Sequence, residues 1–113
     1  MSPIVHVVLF QFRPELTITE RQELCDQMLG LKNSCLHPRS EKPYIQSSVG
    51  GLDKSIEGAQ DGITHAFVVQ FASQEDRDYY VQEDPAHRAF VEVVVPKLVK
   101  AQIVDFSPGD FMA

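Results

Sequence analysis

The sequence is poor in the features that would take it to nucleic acid, into a membrane or out of the cell. Its 10 Lys and Arg are outnumbered by 16 Asp and Glu, a formal net charge of −6, and they form no basic cluster. Such a balance is unsuited to nucleic acid and to anionic lipid surfaces. No apolar run approaches the ~20 residues that span a bilayer. The start, Met1-Ser2-Pro3-Ile4, has no basic region and runs directly into a strand pattern, so no signal peptide is predicted. The 2 cysteines, Cys25 and Cys35, lack the paired spacing of a zinc site and are expected to remain structural thiols in a reducing compartment. These absences predict a cytoplasmic protein with no nucleic acid and no membrane partner, and favour a neutral or small organic ligand. At 113 residues, 43% of them hydrophobic, the chain suits a single domain over residues 1–113 that buries its own core.

Ile4-Val5-His6-Val7-Val8-Leu9-Phe10-Gln11-Phe12 is β-branched and aromatic and is closed by Arg13-Pro14, which predicts a strand. Alternation puts Ile4, His6, Val8, Phe10 and Phe12 on one face and Val5, Val7 and Leu9 on the other, so both faces need cover. Thr19 followed by Gln22 fits a capping box and predicts a helix from Glu20 to Leu31, with Leu24, Met28 and Leu31 as its apolar stripe and Cys25 beside it. Asn33 to Pro43 reads as a loop holding Cys35 and a surface His37. Tyr44 to Gly51 reads as a weaker, edge strand, and Leu52 to Gly62 as an exposed polar rim.

Ile63-Thr64-His65-Ala66-Phe67-Val68-Val69-Gln70-Phe71 predicts a second strong strand, and it echoes the first: each has a His followed five and six residues later by Gln-Phe. Ser73 caps a short helix from Gln74 to Val81. Asp84 and Pro85 then suit the N-cap and first position of a further helix bearing Phe90, Val91 and Val94, with Leu98 on the same side, which Pro96 bends or ends. Ala101 to Phe106 alternates as a last strand, stopped by Ser107-Pro108-Gly109. The order is strand, helix, strand, strand, helix, strand, the ferredoxin-like α+β arrangement with a four-stranded antiparallel sheet.

Three histidines draw the chemistry together. His87 falls at about the third position of its helix, where free amides and the helix dipole favour the neutral imidazole, a base. If the first and third strands lie side by side and parallel, His6 and His65 are near neighbours on the helix-covered face. His87 then completes one apolar cavity, with Tyr79 or Tyr80 nearby. The plainer reading makes His87 a surface residue of a first turn and His6 and His65 hydrogen-bonded core residues. Three imidazoles would also suffice for zinc, but the strand histidines sit in greasy faces with no evident supporting carboxylate, so neither a metal nor any other cofactor is expected.

A strand beginning with His6, a Thr64-His65 strand in mid-chain, Asp78-Tyr79 before Pro85-Ala86-His87, and a final strand ending Val104-Asp105-Phe106-Ser107-Pro108 together resemble the stress-responsive dimeric α+β barrel family over nearly the whole chain. The resemblance implies a homodimer whose sheets pair back to back, which would cover the second face of the first strand. A plant polyketide cyclase belongs to that family and performs an intramolecular aldol condensation. By resemblance His87 matches its catalytic His, and Tyr79 or Tyr80 its Tyr. This chain is about two residues longer between that Tyr and the Pro-Ala-His, which leaves both tyrosines as candidates. His6, His65, Phe67 and Phe90 are the expected substrate-binding residues. The implied function is a cofactor-independent acid/base cyclase or lyase of secondary metabolism acting on a polyketide-like poly-carbonyl substrate. The alternative is a non-catalytic stress-response protein that holds a small apolar ligand, and a haem-handling or metal-handling barrel is a third, less favoured reading.

Overall fold

In the computed structural model, which describes residues 2–112, strand β1 (Ile4–Phe12) forms as its β-branched and aromatic content dictates. Helix α1 (Ile18–Ser34) starts earlier than expected, because Thr17 and Glu20 make the capping box: Thr17 Oγ1 accepts from the Glu20 amide and Glu20 Oε1 from the Thr17 amide. The pattern also fits Thr19 with Gln22, but a carboxylate at the third position gains from the helix dipole and an amide does not. Leu24, Met28 and Leu31 form the buried stripe, and the buried Cys35 ends the helix.

Strand β2 (Ile45–Leu52) is an edge strand, followed by an exposed connection and β3 (His65–Phe71). Gly50 lies against the Phe67 ring so closely that a Cβ there would meet Phe67 Cδ2 at 2.2 Å, so a side chain at this position would displace a core ring. Ser73 caps α2 (Gln74–Gln82), and Asp84 caps α3 (Pro85–Val94). Pro96 ends α3 in a single 3₁₀ turn before β4 (Leu98–Phe106), which starts three residues earlier than its alternation suggested. Of the residues expected on one side of α3, Phe90 and Val94 are buried, Val91 is exposed, and Leu98 belongs to β4.

The sheet order is β2-β3-β1-β4, every neighbour antiparallel, which is the ferredoxin-like fold. β1 and β3 are central neighbours as expected, but they are antiparallel and not parallel. The reason is topological. The α1 crossover returns the chain in β2 with the direction of β1, and β3 reverses that direction before inserting between them. His6 therefore pairs with Val69, and His65 with Phe10.

Helices cover the face bearing Ile4, His6, Val8, Phe10 and Phe12, with Phe67, Val69 and Phe71 of β3 alongside. Tyr80 is 1% exposed in this core. The opposite face carries Val7, Leu9 and Val68, half-buried, beside the more exposed Val49, Val104 and Phe106. No helix among the described residues is long and apolar enough to cross a membrane.

Candidate active site

His87 owes its position to Asp84. One carboxylate oxygen, Oδ1, accepts from the amides of Ala86 at 2.9 Å and His87 at 3.4 Å, and Pro85 needs no partner at the first helical position. The other oxygen accepts from the Tyr44 hydroxyl at 2.6 Å. Asp84 is 1% exposed, so these bonds are what make its burial tolerable. The same neighbourhood pushes the Cys35 thiol up to about 12, by burial first and by Asp84 second.

The His87 ring stacks on Tyr80 with centroids 3.9 Å apart. Burial pulls its pKa below the ordinary histidine range; the nearby Tyr80 backbone and Asp84 oppose this, while His6 adds to it. His87 Nδ1 is buried and has no well-formed hydrogen bond among the described residues. Burial thus favours the neutral imidazole.

His6 approaches the same Tyr80 ring edge-on at 5.8 Å. It is 3% exposed, and its Nδ1 lies 2.6 Å from Asp105 Oδ1, directly across the β1–β4 pair. Since a carboxylate only accepts, Nδ1 is the protonated nitrogen and Nε2 is left for a ligand. Asp105 Oδ2 in turn accepts from Arg77 Nη1 at 2.7 Å, and Arg77 Nε donates to Asp78 at 2.8 Å. A supporting carboxylate therefore exists, where none was evident from sequence. The alternation of β4 was the available signal, since it puts an acidic residue at the helix-side end of an apolar strand.

His6 and His87 line one cavity of about 380 Å³, together with Arg77, Asp78, Val81, Gln82, Ile103 and Asp105. A neighbouring cleft of about 330 Å³ at Ser73 and Asp78 holds no imidazole. His65 is not in the site. It shares the helix-side face, but the antiparallel register offsets it from His6 by four residues, about 13 Å along the strand. It packs edge-on against Phe12 and lines a separate cavity with Arg21 and Cys25. The expected three-histidine cavity is therefore a two-histidine cavity.

The tyrosines divide differently as well. Tyr80 supplies the ring beneath His87, while burial, with Cys35 and Asp84 nearby, pushes its hydroxyl pKa up. Tyr79 turns to the Tyr44 ring, 5.8 Å away. Neither lines the cavity. Phe67 and Phe90 are buried in the core rather than at the cavity wall. Among the described residues no group of three or more His, Cys, Asp or Glu is placed to hold a metal ion.

Solved structures share this architecture. The At3g17210 protein of Arabidopsis thaliana superposes with a TM-score of 0.82 at 27% identity, over 97% of this chain and 99% of that one. A hydroxynitrile lyase from Passiflora edulis gives 0.83 at 18% identity, over 99% and 98%. A protein of unknown function from Thermobifida fusca, described as dimeric and ferredoxin-like, gives 0.70 at 21%, over 94% and 91%. Among curated proteins none matches the sequence with statistical significance. The family model for the stress responsive A/B barrel domain matches residues 4–108, and the chain belongs to that family.

Proposed function

We propose that the chain acts as a homodimer whose His6–His87 cavity carries out cofactor-independent acid/base chemistry on a small poly-carbonyl substrate, making or breaking a carbon–carbon bond. The observation that carries this reading is the placement of His87 and the Asp105-bonded His6 on one cavity, with burial favouring the neutral form of His87. His87 removes a proton α to a carbonyl, and the enolate carbon attacks a second carbonyl of the same chain. The imidazolium returns that proton to the new alkoxide, so the proton count closes without a cofactor. His6 Nε2 accepts from a substrate hydroxyl or enol and fixes its orientation, and the Arg77–Asp105 pair keeps the His6 ring in place. Run in reverse, the same steps are a lyase reaction. The fold carries a hydroxynitrile lyase in Passiflora edulis, so this scaffold accommodates lyase chemistry.

A ligand-binding role without turnover is the second reading. It is favoured by the one departure from a His–Tyr mechanism, that no tyrosine lines the cavity. The test is His87→Ala, assayed for turnover on a panel of poly-ketones and hydroxy carbonyls and for binding of the same compounds. A general base predicts a loss of about 10²- to 10⁴-fold in turnover, with binding changed only a few-fold. Absence of turnover in the wild type across the panel, with binding retained, selects the second reading.

A further inference from the structure

The histidine left out of that site sits in a cavity of its own. About 310 Å³ opens between the first half of α1 and the β2–β3 end of the sheet, lined by Ile18, Arg21, Gln22, Cys25, Leu52 and His65. We propose that this cavity is a second ligand site, taking a small carboxylate with an apolar body, bound by Arg21 with His65 as a wall.

Arg21 is the cation. Among the described residues it forms no salt bridge; one guanidinium nitrogen donates to the Pro14 carbonyl at 3.1 Å, and Nε is buried without a partner. An arginine that is partly buried and unpaired has donors left for an anion. No carboxylate lines the cavity to compete. Glu20 and Glu23, the acidic neighbours of Arg21 along the helix, do not line it, and Asp26 accepts from the Gln22 side-chain amide at 2.9 Å.

His65 forms the wall beside Arg21. Its Nδ1 lies 2.9 Å from Thr64 Oγ1. The Thr64 hydroxyl donates to the Phe10 carbonyl at 3.2 Å, and its oxygen accepts from the Phe12 amide at 3.2 Å. With its proton on the bond to Phe10, the hydroxyl oxygen accepts from Nδ1–H at 2.9 Å, which leaves Nε2 of a neutral His65 as an acceptor. Burial and Arg21 both favour the neutral ring. The guanidinium is then the one charged partner for the carboxylate, and the neutral ring adds apolar contact with the ligand body.

The rim supplies the apolar contact. Ile18 is 85% and Leu52 62% exposed at the mouth. Cys25 is a wall and not a nucleophile, since burial pushes its thiol pKa up. A carboxylate carrying an aryl or short alkyl group would cover these residues, whereas inorganic anions would leave them in water.

The experiment is an NMR titration of the full-length chain with benzoate and, in parallel, with benzamide, its uncharged isostere. Benzoate is expected to give saturable shifts at the Arg21 side chain, Leu52 and His65. Benzamide, and benzoate with Arg21→Gln, should bind about tenfold or more weakly. A dispersed amide spectrum checks that the variant folds, and the benzoate–benzamide comparison needs no variant. Equal affinity for the two compounds, benzoate shifts confined to His6 and His87, or no saturable shift at all would each overturn the proposal.

Discussion

Asp105 faces His6 across the β1–β4 pair, with carboxylate and imidazole 2.6 Å apart and 99 residues apart in sequence. That contact selects which nitrogen of His6 meets a ligand, and Arg77 holds the carboxylate from its other side. Asp105→Asn keeps the shape but offers an amide that can donate to Nδ1, which reverses the tautomer. Turnover is expected to drop by roughly 10²-fold or more, with substrate affinity changed only a few-fold. The ¹⁵N spectrum gives a substrate-independent check: Nδ1 of His6 carries the proton in the wild type, and an unchanged tautomer in the variant would remove Asp105 from this role.

Tyr80 contributes its ring rather than its hydroxyl. Tyr80→Phe keeps the stack on His87 and is expected to retain turnover within a few-fold. Tyr80→Ala removes that stack and empties a core position that is 1% exposed, at a cost of about 3–5 kcal/mol. Tyr79→Phe should be silent, since its ring faces Tyr44. Denaturant unfolding with parallel activity assays separates these cases, and a large loss of turnover in either Phe variant would return the acid role to a tyrosine.

Stability should decline as the solution is acidified through the histidine range. The pKa values of His87 and His65 are both lowered in the folded state, chiefly by burial, so the unfolded chain binds protons first. The stabilisation is therefore complete above about 6.5, the ordinary histidine value, and is lost as pH falls through the lowered folded values. Unfolding free energies at pH 7.5 and 5.5 in wild type and His87→Gln measure this. The variant should show a shallower decline, and an identical slope would mean that His87 titrates normally.

The uncovered sheet face predicts the oligomer. Val104 is 59% and Val49 62% exposed beside Val7, Leu9 and Val68, and apolar patches of this kind mark interfaces. Sedimentation should give twice the chain mass of 12.7 kDa. Val104→Glu should shift the protein towards the single-chain mass, because it puts a charge on that exposed apolar face. A wild-type monomer at micromolar concentration would refute the homodimer.

Local chemistry by itself determined the parts whose causes lie within a few residues. Asp84-Pro85 dictated the start of α3 and the place of His87, because cap and amide acceptor are neighbours in the chain. Alternation assigned Ile4, His6, Val8, Phe10 and Phe12 to the covered face of β1 and left the opposite valines unpartnered, because side chains of a strand alternate whatever lies beside them. Two equivalent capping patterns stand two residues apart at the start of α1, and only the charge on Glu20 separates them.

What sequence could not supply was register and long-range pairing. The periodicity of β1 and β3 is the same whether they run parallel or antiparallel, yet the direction decides whether His65 stands beside His6 or four residues away. The pairing of Asp105 with His6 likewise has no local signature, because it arises only when the last strand folds back along the first. The tertiary structure thus decided which residues share the candidate cavity. It kept His6 and His87, added Asp105 and Arg77, and released His65 to a different cavity, because the α1 crossover fixes the direction of every later strand.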